Sequence, residues 1–188
     1  VDAIGDVCLP ELVAPESDDT DKRRLYMSIW CCMFSRNLID RANWRFVSER
    51  EIISEDVYSL LNLYVNVKKV SVLSEALYFY RQNEVSFSRT YSYDRYDKIV
   101  YFYTESIKLC STLGYPDKVS ERLKSPYLSY TIACLKQTYQ LCLDRSERKR
   151  VSQKIINDEL LQKILRNIPY DTAGIKKRIL YFSLRHKL

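Results

Sequence analysis

Ile53-Ser54-Glu55-Asp56-Val57-Tyr58-Ser59-Leu60-Leu61-Asn62-Leu63-Tyr64-Val65, residues 53–65, decides how the front half of this chain is read. Apolar positions 57, 60, 61, 64 and 65 share one face at helical spacing, which predicts an amphipathic helix over about 55–67. Ser54 suits its N-cap, because a serine hydroxyl accepts a bond from an unpaired first-turn amide. Glu55 and Asp56 then lie in the first turn, where the helix dipole favours negative charge and lowers carboxylate pKa values. A carboxylate pair held rigidly at a helix start has two readings. The charges stabilise the helix end, or one of them is a base presented to a substrate.

On the N-terminal side, residues 1–21 hold seven acids, two prolines and no lysine or arginine. They read as an acidic leader or loop, bounded at 1–23. Arg24–Phe34 is apolar and aromatic, which suits a buried strand; Ser35–Arg41 suits a short helix with Ser35 near its cap, and Arg45-Phe46-Val47 a short extended piece. Beyond the acidic-pair helix, Val70–Leu73 and Ala76–Tyr80 have the β-branched and aromatic content of two short strands. Past residue 90 the period becomes helical. Tyr96, Ile99, Val100, Tyr103, Ile107 and Cys110 form one stripe, ended by Gly114-Tyr115-Pro116. Ser125-Pro126 predicts a cap and first residue for the next helix, which carries Leu128, Ile132, Leu135, Tyr139 and Cys142. Ser146 predicts the cap of a helix running through Val151 to Leu165, and Asp171 the start of a final one. The expected class is therefore α+β and mostly helical, with an α/β part at 24–90 and an all-α region at 91–188.

Composition excludes several chemistries. Three glycines (Gly5, Gly114, Gly174) cannot build a phosphate-cradling loop, so a self-contained dinucleotide or P-loop site is ruled out. One histidine, His186, argues against Ser-His-Asp, Cys-His and His-based metal sites. Six cysteines show no CxxC spacing; Cys134 and Cys142 read as small buried hydrophobes, and the thiols as reduced. No apolar run is long enough to span a membrane, and no signal peptide is visible. The start without Met, in an acidic segment, reads as that of a fragment. Net charge is +6, and the acidic first 21 residues leave +13 for the rest, which suggests an anionic partner for the body.

The ordered words of residues 26–90 carry a resemblance. They are Ile29-Trp30-Cys31-Cys32-Met33-Phe34, Arg36-Asn37-Leu38-Ile39, Arg45-Phe46, Ser54-Glu55-Asp56, Ala76-Leu77-Tyr78-Phe79-Tyr80-Arg81 and Ser86-Phe87-Ser88-Arg89. This order resembles the C-terminal half of bacterial family 2 glycosyltransferases of the GT-A fold, over about a third of the chain. The resemblance implies a remnant of a GT-A sheet at 24–90. It implies Asp56 as the base of an inverting sugar transfer with Glu55 as its paired acid, Trp30 as a substrate-binding residue, and Arg81, Ser86, Ser88 and Arg89 as substrate-binding residues near the donor diphosphate. Asn83 stands where many relatives place His or Arg, which removes that contact. The family's nucleotide-binding half is not in this sequence, so a divalent metal (Mg or Mn) is expected only with that half. Asp19-Thr20-Asp21 spells Asp-x-Asp but follows no apolar strand and is read as coincidence.

The implied function is the acceptor-side portion of an enzyme moving a sugar from a nucleotide-sugar donor to a saccharide or lipid-linked saccharide, inactive alone, in the cytoplasm or at the inner face of its membrane. The alternative is a non-catalytic helical interaction or regulatory module. Lys176, Lys177, Arg178, Arg185 and Lys187 accompany Ile175, Ile179, Leu180, Tyr181, Phe182 and Leu184. That pattern fits either a helix at an anionic membrane surface or one packed on its neighbours with a solvated basic face. No helix-turn-helix, zinc-finger or RNA-recognition signature supports nucleic acid as a partner. Tyr91, Tyr93, Tyr96, Tyr101 and Tyr103 read as core of a bundle or as platforms for sugar rings.

Overall fold

The computed structural model describes residues 4–15, 25–79, 81, 91–168 and 175–187. Its helices are α1 (Leu9–Val13), α2 (Arg36–Arg41), α3 (Glu55–Tyr64), α4 (Arg95–Thr112), α5 (Asp117–Arg122), α6 (Lys124–Leu141), α7 (Arg145–Asn157), α8 (Glu159–Arg166) and α9 (Ile175–His186). A π-helical turn, Ile4–Cys8, leads into α1, and a 3-10 turn spans Ile29–Cys31.

Among the described residues no strand forms, so the expected sheet remnant at 24–90 is corrected: the fold is all-helical. Residues 25–35 are irregular around the 3-10 turn, with Trp30 half-exposed and Met33 fully exposed. Residues 67–79 run irregularly with Val72, Leu73, Leu77 and Phe79 on the surface. Their β-branched and aromatic content is a preference for a half-buried pleated surface, and it has no effect without a neighbouring strand to pair with.

The helical half follows its pattern closely. Tyr96, Ile99, Phe102, Tyr103 and Cys110 put the inner face of α4 in the core. Gly114 ends that helix at φ 67°, a left-handed position suited to glycine, with the Tyr115 amide returning to the Cys110 carbonyl at 3.0 Å. The next boundaries differ in detail. α6 begins at Lys124, directly after a bend at Leu123, and Pro126 sits in its first turn, where a missing N–H costs no helical bond. The cap of α7 is Asp144, whose carboxylate accepts from the Glu147 amide at 2.6 Å, and Ser146 lies inside the helix. The single helix expected over 151–165 is two, because Asp158 caps α8 by accepting from the Leu161 amide at 2.9 Å.

One hydrophobic cluster runs from Leu9 to Leu184 and draws on both sides of residue 90. Leu60, Leu61 and Leu63 of α3, which packs on α4, share this cluster with Ile99 and Phe102 of α4, Leu123 and Tyr127 beside α5 and in α6, and Leu161 and Leu165 of α8. The leader expected to be a loop is helical and core-packed over 4–13, with Leu9, Leu12 and Val13 buried. Its two described acids are met within the chain: Arg122 reaches Glu11 at 3.3 Å and donates to the Ala14 carbonyl at 2.9 Å, and Lys118 lies 3.9 Å from Asp6. Part of the basic charge is thus spent on the leader through contact of α1 with α5.

Candidate functional site

The start of α3 is fixed by contacts distant in sequence. The buried Trp44 indole donates to the Ser59 carbonyl at 2.7 Å, and the Ser59 hydroxyl accepts from the Val47 amide at 3.0 Å. Tyr115 donates to the Leu61 carbonyl at 2.6 Å. Ser54 is not a side-chain cap. It is left-handed, at φ 59° and ψ 44°, and its hydroxyl bonds the Tyr130 hydroxyl of α6 at 2.8 Å. Strain of this kind persists only where surroundings over-determine it, and here it turns the chain so that Glu55 and Asp56 start the helix at a cleft.

That cleft has a volume of about 200 Å³. Val13 at the end of α1, Tyr26–Ser28, Ser54–Val57 and Pro126 and Tyr130 of α6 converge on it. It is smaller than the ~300 Å³ at which drug-sized sites begin, so it accommodates part of a ligand, such as one ring and its hydroxyls. Burial raises the Asp56 pKa, against a weaker lowering by the Ile29 amide, which donates to Oδ2 at 3.4 Å. Burial also raises that of Glu55, its own backbone amide opposes, and the charges of Asp56 and Glu49 add to the rise. The helix-dipole expectation of a lowered pKa is therefore corrected: desolvation outweighs the favourable end of the helix. Both carboxyls are shifted toward the range useful to a general base.

The residues implied by the resemblance are placed unequally. Trp30 follows the residue that bonds Asp56, and its ring lies 5.1 Å from that of Tyr78 at 39°. Segments 26–29 and 54–57, far apart in sequence, thus meet at the cleft, and Tyr78 touches the ring of Trp30. Arg81 is exposed and does not line the cleft. Ser86, Ser88 and Arg89 lie outside the described residues, as do Asn83, Asp171 and Asp19-Thr20-Asp21. Tyr26 and Tyr130, which line the cleft, were missed; only tertiary proximity distinguishes them among sixteen tyrosines. Cys32, beside the pair, has its thiol pushed up to about 11 by burial, then by Cys31 and Asp56. It is neutral at pH 7 and unsuited to act as a nucleophile. All six cysteines are free, with Cys134 and Cys142 buried as expected. No metal-binding cluster occurs among the described residues, and no described helix is long and apolar enough to cross a membrane. Tyr96 and Tyr103 are core, whereas Tyr93 and Tyr101 are exposed.

Comparison with protein-family models, with curated proteins and with solved structures finds no match to this chain.

Proposed function

We propose that this chain supplies the acceptor side of a sugar-transfer site, with Asp56 as the base. The observation that carries the reading is the half-buried carboxylate pair of raised pKa at a cleft that Tyr26 and Tyr130 also line. Aromatic faces stack on the apolar faces of sugar rings and would orient an acceptor. Asp56 would take the proton of the acceptor hydroxyl as its oxygen bonds the anomeric carbon. The bond from that carbon to the donor phosphate breaks, and its electron pair leaves with the nucleoside diphosphate. Donor and divalent ion would be held by groups outside this chain. The setting would be cytoplasmic, or peripheral at the inner membrane face.

The test is sugar transfer from a labelled nucleotide sugar by the protein that carries this sequence. Asp56→Asn should lower turnover by about 10²- to 10⁴-fold, the usual contribution of a general base, while nucleotide-sugar affinity persists. Undiminished turnover sinks the assignment.

A non-catalytic helical interaction module is the second reading. It is favoured by the all-helical fold and by the apolar side chains that residues 70–79 present to solvent. Asp56→Asn leaving a binding partner's affinity unchanged, with no transfer detectable in the parent protein, would decide for it.

A further inference from the structure

α9 buries only one of its faces. Tyr181 and Leu184 enter the core, Leu180 is partly buried against it, and the helix rests on α8, where the Gln162 amide also donates to the Leu184 carbonyl at 3.0 Å. Ile175, Ile179 and Phe182 follow one another at intervals of four and three, so they form a second stripe on the opposite side. All three are exposed, at 73%, 63% and 55%. The His186 ring lies 4.3 Å from that of Phe182 and prolongs the stripe by a turn. Three large apolar side chains in one exposed line are not explained by packing, because the core face of the same helix is already filled.

The charges on this segment say what would cover the stripe. Residues 175–187 hold five basic residues and no acid. At helical spacing, Lys176 flanks the stripe on one side, and Arg178 and Arg185 on the other. An apolar line with a basic margin on each side is the arrangement of a helix lying in the plane of an anionic bilayer, side chains among the acyl chains and cations among the headgroups. A second copy of the same face would bring the two basic margins together, which like-charge repulsion opposes. A nucleic-acid backbone would use the cations and leave Ile175, Ile179 and Phe182 in water.

We propose that the outer face of α9 docks on an anionic lipid surface through Ile175, Ile179 and Phe182, with Lys176 beside them meeting the headgroup charge. This docking does not depend on the sugar-transfer reading and stands or falls separately from it. It would hold the chain at a bilayer through a helix too short and too charged to span one.

The experiment is co-sedimentation of the full chain with large vesicles of phosphatidylcholine alone, or of phosphatidylcholine with about 30% phosphatidylserine, at roughly 0.1 M salt. Binding is expected to the anionic vesicles and to be much weaker to the neutral ones. Lys176→Glu should weaken it by at least about fivefold, the value of one cation near such a surface. Ile179→Ser and Phe182→Ser should each weaken it on the order of tenfold. Both positions are exposed, so far-UV circular dichroism should stay unchanged in these variants. Absence of binding to anionic vesicles overturns the proposal, and so does equal binding to neutral ones. Anionic binding indifferent to Ile179→Ser and Phe182→Ser also overturns it, since charge alone would then be responsible. Self-association without vesicles that disappears with Phe182→Ser overturns it in favour of a second copy.

Discussion

Ser54 is held in the left-handed region while its hydroxyl bonds Tyr130 at 2.8 Å, so strain and bond can be separated by a double-mutant cycle. Holding an L-residue left-handed costs about 1–2 kcal/mol. Glycine avoids that cost but gives back about 0.4–1 kcal/mol through the freedom of the unfolded chain. The backbone part of Ser54→Gly is therefore a gain of about 0.5–1 kcal/mol. The lost hydroxyl bond is worth about 0.5–1.5 kcal/mol net, so in the parent chain the two nearly cancel. In the Tyr130→Phe background the bond is already gone, and Ser54→Gly should stabilise by about 0.5–1 kcal/mol. The coupling between the sites should then be about 1 kcal/mol, or about 2–4 °C in Tm for a chain of this size. Urea unfolding followed by circular dichroism, with m unchanged across the four proteins, measures it. A coupling indistinguishable from zero would refute the hydroxyl pair, and Ser54→Gly destabilising in the Tyr130→Phe background would refute the left-handed backbone.

The acidic pair should carry a pH signature. Burial raises both native pKa values, so the unfolded chain releases these protons first as pH rises, and the pair costs stability from the ordinary carboxylate range up through the raised values. The Glu55→Gln/Asp56→Asn variant should therefore gain on the parent between pH 3 and pH 7 in thermal melts; a parent that gains instead refutes the burial argument. Trp44→Phe removes the buried indole bond to Ser59 and part of a packed ring, and should cost about 2–3 kcal/mol by urea midpoint. A cost under about 0.5 kcal/mol would mean that the indole does not anchor α3. Asp158→Ala should cost about 1 kcal/mol by removing the α8 cap, whereas Ser146→Ala should stay within about 0.5 kcal/mol; the reverse order would restore Ser146 as the cap.

The elements legible in the sequence are those specified by their own residues. α3 starts where the period of 57–65 puts it but ends at Tyr64 with Val65 exposed, α2 follows Ser35, and α4 ends before Gly114 because glycine takes the left-handed turn there. Helix bonds are internal, so periodicity and punctuation suffice to place them. Residues 25–34 and 70–79 form no strand, against their reading, because strand propensity is a statement about a neighbour. The leader was misread because its acids and prolines hid Leu9, Leu12 and Val13, whose burial depends on α5 being there to meet them.

The sequence by itself determined α2, α3, α4, α6 and α9, the scarcity of glycine and histidine that excludes several catalytic engines, and the acidic pair as a place to look. Only the tertiary structure decided what that pair is. Tyr130, more than seventy residues away, bonds the hydroxyl of the left-handed Ser54, the Ile29 amide meets Asp56, and burial raises both carboxyl pKa values. Desolvation is set by whatever packs nearby in space, and for these carboxyls it reverses the sign that the local helix dipole alone would give.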